Sequence, residues 1–258
     1  MRLQLIYFSP TGTSRKIVHA VATGFAAKEV AIVDLTRNRR QEQKRFSDGV
    51  AIIGCPVYAG RVPEVCLKRM AGFSANGIPA VLVGLYGNRE YEDALVELRD
   101  VVTASGFNVV AAGAFIGEHS YSTAEQPIAT GRPDLSDLKK AEAFGRQIAE
   151  KLAAGDVGGE LAIAGNIPYR ERPPLGGIAP ETNAATCTLC GTCAKACPTF
   201  VISVGSEVVT RAEDCVMCCA CVRQCSSGAR RMLHPLLQER REMLIQNCNQ
   251  RKEPELFL

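Results

Sequence analysis

Two cysteine runs with identical spacing constrain this chain more than any other feature of its sequence. The pattern C-x2-C-x2-C-x3-C occurs at residues 187–197 and recurs 28 residues later at residues 215–225. Ten of the twelve cysteines lie beyond residue 186. Thiolates at regular three-residue steps suit metal ligation better than a disulfide framework. We therefore expect metal binding in a reducing compartment.

The repeat resembles bacterial-type ferredoxins with two [4Fe–4S] clusters, in which the fourth cysteine of each run binds the other cluster. The resemblance covers residues 183–232. It implies that one cluster is held by Cys187, Cys190, Cys193 and Cys225, which we call the first set. It implies that the other is held by Cys215, Cys218, Cys221 and Cys197, which we call the second set. Such ferredoxins usually have proline after the last cysteine, where this chain has Ser226, and we expect that change to be tolerated.

The stretch "DCVMCCACVRQC" at residues 214–225 contains one cysteine more than its pattern requires. Aligning the two runs places Cys219 opposite Gly191, so Cys219 is predicted to be spare. A zinc-stabilised interaction module remains an alternative, since C-x2-C pairs also form zinc ribbons. Zinc ribbons, however, use two separated pairs rather than a triplet with a crossed fourth ligand.

Short apolar runs alternate with helical segments from residue 1 to about residue 153. The runs typical of strands are 3–8, 29–35, 49–55, 78–86 and 108–116. Helical spacing occurs over 13–27, 63–72, 91–104 and 135–152. This alternation predicts an α/β fold with a doubly wound, five-stranded parallel sheet. The charged segment between Leu35 and Gly49 is predicted to be a solvated helix or loop.

The first predicted strand ends in "SPTGTS" (residues 9–14), and a predicted helix follows. Backbone N–H groups and hydroxyls at a helix N-terminus favour a phosphate. The loop lacks the Gly-Lys-Ser/Thr of nucleotide-binding loops and the G-x-G-x-x-G of dinucleotide-binding loops. It resembles the FMN phosphate loop of flavodoxins, which implies phosphate contacts from Ser9, Thr11, Gly12, Thr13 and Ser14. An ordinary capped helix start is the alternative.

Two further loops follow the third and fourth predicted strands: "CPVYAGRVP" (55–63) and "YGNREY" (86–91). The carboxyl ends of strands are where an open parallel sheet binds ligands. Flavodoxin-like proteins place their flavin between such loops. The resemblance implies flavin contacts from Pro56, Val57, Tyr58, Gly60, Tyr86, Gly87, Asn88, Arg89 and Tyr91. Tyr58 and Tyr86 are the stacking candidates, although each could instead be a half-buried packing residue.

The whole chain resembles fusions of a flavodoxin-like domain with a small α+β ferredoxin domain carrying two [4Fe–4S] clusters. We expect a flavodoxin-like domain at 1–153, a Gly- and Pro-rich linker at 154–182 that wraps or docks, and a ferredoxin domain at 183–258. The last is predicted to contain a hairpin at 201–210 and a helix at 234–248. So small a unit has little apolar core, and we expect it to need its metal for stability.

The fusion implies electron transfer between two [4Fe–4S] clusters and FMN. The alternative is an FMN-dependent reductase of a small-molecule substrate, fed by its own ferredoxin domain. For that alternative the first proton donors to test are His119 and Tyr121, in the loop 117–133.

The physiological partners are expected to be other redox proteins. The formal charge of +3 gives no argument for nucleic-acid binding. The longest apolar runs fall far short of the roughly 20 residues that span a bilayer, and the N-terminus does not resemble a secretory signal. We therefore expect a cytoplasmic protein.

Overall fold

A six-stranded sheet forms the centre of the computed structural model, which describes residues 1–39, 41–157, 159, 161–173 and 177–258. In chain order the strands are β1 Arg2–Tyr7, β2 Glu29–Asp34, β3 Lys44–Phe46, β4 Val50–Pro56, β5 Phe73–Ala75, β6 Pro79–Tyr86, β7 Asn108–Ile116, β8 Glu181–Thr182, β9 Ile202–Val204, β10 Val208–Thr210, β11 Arg230–Arg231 and β12 Glu255–Phe257. The helices are α1 Thr13–Gly24, α2 Glu64–Met70, α3 Ala94–Ala104, α4 Leu135–Ala153, α5 Thr192–Ala196, α6 Ala220–Arg223 and α7 Pro235–Asn247, with one 3₁₀ turn at Ala212–Asp214.

The main sheet has the strand order β12-β7-β6-β4-β1-β2, and all pairings from β7 to β2 are parallel. Those five strands are the predicted ones, in the order that defines flavodoxin-like doubly wound folds. The predicted fold class is thus confirmed. Strand β1 pairs with both β2 and β4, so the chain reverses direction across the sheet beside β1. The reversal creates a crevice at the carboxyl end of β1.

Helices cover both faces of this sheet, because its strands are apolar on both sides. On one face α1 and α4 pack over a core that includes Leu5, Phe115 and Phe144. The two helices approach closely: a methyl group added to Gly145 would lie 2.0 Å from the carbonyl oxygen of Val21. On the other face α2 and α3 pack over a second core.

A sixth strand, β12, pairs antiparallel with β7 at one edge of the sheet and was not predicted. It comes from the C-terminal tail, which sequence analysis placed with the ferredoxin domain. The segment before β12 is held by the Asn88 side-chain amide, which donates to the carbonyl oxygens of Cys248 and Gln250 at 2.7 and 2.8 Å. The tail therefore ties the cysteine-rich part of the chain to the parallel sheet.

The segment predicted as a solvated helix or loop contains a short strand, β3, which pairs parallel with β5. Phe46 explains the difference, because its ring is fully buried and packs against Phe73 and Phe107. One apolar side chain among charged neighbours gave too weak an alternation to indicate a strand. Residue 40 of this segment lies outside the described residues.

The described part of the predicted linker packs beside α3. Leu161 and Ile163 join the core of the α2–α3 face. The buried Asp93 carboxylate accepts hydrogen bonds from the backbone N–H groups of Asn166 and Arg170, both at 2.7 Å. The last two residues of the predicted linker form β8, which pairs with β11 of the cysteine-rich unit.

The cysteine-rich unit consists of the predicted hairpin β9–β10, the strand pair β8–β11 and the helices α5 to α7. Helix α7 begins at Pro235, a favourable first helical position, and buries Leu237 and Leu244. No helix within the described ranges is long and apolar enough to cross a membrane.

Candidate cofactor sites

The loop between β1 and α1 has the form of an anion site. Gly12 adopts a left-handed conformation at φ 84° and caps the helix N-terminus. The Ser9 hydroxyl accepts from the backbone N–H of Arg15 at 3.0 Å, and the Thr11 and Thr13 hydroxyl oxygens lie 3.3 Å apart. The Ser14 hydroxyl is buried and has no hydrogen-bond partner within the described part of the chain. A buried unpaired hydroxyl is unfavourable, so a phosphate oxygen accepting from it fits this loop.

A cavity of about 300 Å³ lies beside this loop, at the carboxyl edge of the sheet. Of the predicted flavin contacts and proton donors, those that line it are Thr11, Thr13, Pro56, Val57, Tyr58, Tyr86, Gly87, Arg89, His119 and Tyr121. Its size is at the lower end of typical ligand cavities. We call this space the flavin cavity, because predicted flavin contacts line it.

Six predicted contacts do not line the cavity: Ser9, Gly12 and Ser14 of the first loop, and Gly60, Asn88 and Tyr91, which have other partners. The Asn88 side chain binds the tail, and the Tyr91 hydroxyl donates to the Glu255 carboxylate at 2.6 Å. Gly60 is packed against Glu92, whose Oε2 atom would lie 1.8 Å from a methyl group added there. These residues hold the loops around the cavity in place.

The far wall of the flavin cavity comes from the cysteine-rich unit, and sequence analysis missed it. Val216 and Met217 line the cavity from within the second cysteine run, and Arg240, Met243 and Leu244 line it from α7. No local pattern could indicate these residues, because they lie more than 90 residues beyond the last flavin loop. Arg240 pairs with none of the carboxylates that the structure describes.

The two cysteine runs share a backbone conformation as well as a spacing. Leu189 and Gly191 in the first run have positive φ angles of 53° and 73°. Their counterparts 28 residues later, Met217 and Cys219, have φ angles of 49° and 56°. Left-handed residues in such loops turn successive N–H groups inward, which makes a concave anion site. The repeat thus extends from the cysteine spacing to the backbone conformation, which in both runs suits an anion.

The second set of cysteines lies around one small cavity. Its lining contains Cys197, from the first run, together with Cys215, Cys218 and Cys221. The cavity therefore brings Cys197 of the first run together with three cysteines of the second run. Cys219 also borders this space, but its Sγ atom lies 3.6 Å from the carbonyl oxygen of Met217, to which it donates.

The first set lies nearer the surface. Cys190 is exposed, Cys187 and Cys225 are partly buried, and Cys193 is buried. The Thr192 hydroxyl and backbone N–H beside Cys190 lower the pKa of that thiol to about 7. These groups favour the thiolate form that a cluster requires. Within the described ranges, no three His, Cys, Asp or Glu side chains are arranged to hold a single metal ion.

An open groove of about 1080 Å³ lies next to the flavin cavity, between α2 and the second cysteine run. Tyr58 and Val216 line both spaces. Cys215 borders the groove and is only partly buried. The groove therefore gives access from solvent to the edge of the second set.

One family model matches the chain: residues 180–203 match the 4Fe-4S binding domain family. The match covers the first cysteine run and supports an iron–sulfur cluster and a redox role. A search of curated protein sequences gave no match.

Several solved structures resemble the N-terminal part of the chain. A flavodoxin from the domain Archaea is 16% identical, with a TM-score of 0.41, over 59% of this chain and 99% of that one. Oxidised Flavodoxin 2 from Bacillus cereus is 16% identical, with a TM-score of 0.44, over 58% and 99%. NAD(P)H:quinone oxidoreductase from Methanothermobacter marburgensis is 14% identical, with a TM-score of 0.36, over 59% and 98%. Because these TM-scores are below 0.5, the fold assignment rests on strand order instead.

Replacing Ser14 by alanine separates ligand binding from stability. We expect the dissociation constant for FMN to rise about tenfold, because a hydrogen bond to a charged oxygen is lost. The flavin-free protein should be equally stable or slightly more stable, since the substitution removes an unpaired buried hydroxyl. Fluorescence titration with FMN and urea unfolding measure the two effects. Thr23→Ala, at the other end of α1, is the control and should leave FMN binding unchanged.

Replacing Cys219 by alanine or glycine should leave the iron and acid-labile sulfide content of the purified protein unchanged, at roughly eight each per chain. Glycine should be tolerated best, because Cys219 has a positive φ and its counterpart is Gly191. Cys218→Ala is the matched comparison and should lose iron. Loss of iron from the Cys219 variants but not from Cys218→Ala would show that the register of the repeat is wrong.

Proposed function

We propose that this chain is an electron-transfer protein that passes electrons between two [4Fe–4S] clusters and FMN. One observation carries the proposal. Val216 and Met217 line the flavin cavity, while the cysteines on either side of them, Cys215 and Cys218, line the cavity of the second set. When bound, the clusters supply one-electron chemistry, and the flavin can exchange one or two electrons.

The side chains between the flavin cavity and the cavity of the second set support direct electron transfer. Tyr58 lines the flavin cavity and packs against the cluster of buried residues that contains Cys218. Tyr121 also lines the flavin cavity and packs against a group of buried residues that includes Met217 and Cys219. We infer that the second set holds the cluster nearer the flavin.

The first set provides the contact with the outside. Cys190 is exposed, and Leu189 beside it is 42% exposed. Within the described residues, none from the first run lines the flavin cavity. We infer that redox partner proteins meet the chain here, through a small surface of the kind found in transient electron-transfer complexes.

The side chains around the flavin cavity favour electron transfer over substrate reduction. The His119 Nδ1 atom accepts from the backbone N–H of Tyr121 at 3.0 Å, which leaves the ring proton on Nε2. Burial, together with the charges of Arg223, Arg89 and Arg241, lowers the pKa of His119 to about 4. Burial also raises the pKa of the Tyr121 hydroxyl. Neither group is a ready proton donor near neutral pH.

Replacing His119 by glutamine tests this point. A histidine with a pKa of about 4 stays neutral as the pH rises from 5.5 to 9, so its charge cannot shape a pH profile in that range. For electron transfer, we expect flavin reduction in His119→Gln to remain within about threefold of the wild-type rate across that range. A loss of rate of a hundredfold, with loss of an inflection in the pH profile, would instead support the reductase.

Removing the inner cluster ligand tests the proposed function itself. Reduced methyl viologen would be mixed anaerobically with the holoprotein, and the flavin and iron–sulfur absorbance bands followed by stopped flow. In wild type we expect both bands to bleach together. In Cys218→Ala we expect flavin bleaching to slow at least tenfold, while Cys219→Ala behaves as wild type. Equal rates in all three proteins, or an absence of iron and flavin from wild type, would contradict the proposal.

A further inference from the structure

A buried arginine lies between the two sets of cysteines. Arg230, on β11, is only 2% exposed. Its Nη1 atom donates to the Thr182 hydroxyl at 2.7 Å, and its Nη2 atom donates to the Thr210 hydroxyl at 3.0 Å. The same Nη2 atom lies 3.8 Å from the Sγ atom of Cys221, to which it also donates. The guanidinium therefore contacts the second set directly.

Two features of Arg230 are unusual for a buried charge. None of the carboxylates that the structure describes pairs with it, and both of its oxygen partners are neutral hydroxyls. Its Nε–H group is buried and finds no acceptor among the residues that the structure describes. Burying an unpaired cation is costly, so such a residue is expected to face a negative charge.

The cysteine thiolates are the negative charges in reach. The Cys221 Sγ atom is 3.8 Å from the guanidinium Nη2 atom. Cys215 of the second set and Cys193 of the first set also lie within range of the Arg230 charge. A cluster with its four thiolates is anionic and could accept from the free Nε–H, which fits both unusual features of this residue.

We propose that Arg230 is a positioning residue that raises the reduction potential of the cluster held by the second set. Reduction adds one electron and makes the cluster one unit more negative, with no bond formed or broken. A fixed cation in a buried site stabilises that more negative form, and hydrogen bonds to cluster sulfur act in the same direction. The inference rests on the proposed function, because it requires the second set to hold a cluster.

The neighbouring residue provides a matched control. Arg231 carries the same charge one position along the chain, but its side chain is exposed and its Nε atom donates to the carbonyl oxygen of Gly228 at 3.1 Å. Solvent and salt screen an exposed charge. Removing the charge of Arg231 should therefore change the potential much less than removing that of Arg230.

The test is an anaerobic potentiometric titration of the holoprotein, followed by EPR, for wild type, Arg230→Gln, Arg230→Lys and Arg231→Gln. In Arg230→Gln we expect at least a tenfold fall in the ratio of reduced to oxidised cluster at a fixed potential, or about 59 mV for a one-electron couple. Arg230→Lys keeps the charge, so its cluster potential should fall by less than half as much as that of Arg230→Gln. Arg231→Gln should change the ratio by less than threefold.

An unchanged potential in Arg230→Gln, with iron and sulfide retained, would overturn the inference while leaving the proposed function intact. Wild-type protein without clusters would contradict the proposed function instead. If Arg230→Gln fails to hold its clusters, pulsed EPR of reduced wild type containing ¹⁵N-arginine provides the second measurement. We expect a ¹⁵N coupling that Arg230→Lys lacks, and its absence from wild type would overturn the inference.

Discussion

The fold depends on a set of polar contacts that hold the cysteine-rich unit against the carboxyl edge of the parallel sheet. Arg69, a buried residue of α2, donates to the carbonyl oxygen of Pro198 at 2.5 Å. Arg223, in α6, donates to the Glu118 carboxylate and to the carbonyl oxygen of His119. Arg241, in α7, donates to the carbonyl oxygen of Tyr121 at 2.8 Å. A unit with so little apolar core gains its placement from such contacts.

This docking is what gives the flavin cavity its second wall. Without it, the loops after β1, β4 and β6 would present an open crevice, as any sheet of this topology does. With it, Met217 and Leu244 close the crevice, and the second cysteine run comes into contact with Tyr58 and Tyr121. The tail completes the attachment, because β12 adds a strand to the edge formed by β7. The proposed electron path is thus a consequence of how two units pack.

Because the two cysteine sets are buried to different extents, the proposed electron path runs from the protein surface to the flavin cavity. The first set reaches the surface at Cys190, and the second set lies among buried residues beside the flavin cavity. Exposure, net charge and hydrogen bonds to sulfur all influence cluster potentials. Because Arg230 contacts the second set and not the exposed Cys190, the two clusters are expected to differ in potential. A difference of this kind would help to drive electrons one way between the surface and the flavin.

The sequence by itself determined the features that repeat locally. Apolar runs separated by helical periods were enough to predict β1, β2, β4, β6 and β7. The 28-residue repeat, together with the resemblance to two-cluster ferredoxins, predicts the grouping of the cysteines and a spare Cys219. These patterns are readable because strand and helix faces recur every two or 3.6 residues, and cluster ligands recur at fixed steps.

Only the tertiary structure decided which residues that are far apart in the sequence come together in space. Asn88 and Tyr91 bind the tail and do not line the flavin cavity. Val216 and Met217 line that cavity. Arg230 is buried between the cysteines. The first two outcomes bring together segments more than 90 residues apart, and the burial of Arg230 joins β11 to Thr182, 48 residues away. No local period encodes such a meeting, because it is set by how complete elements pack against one another.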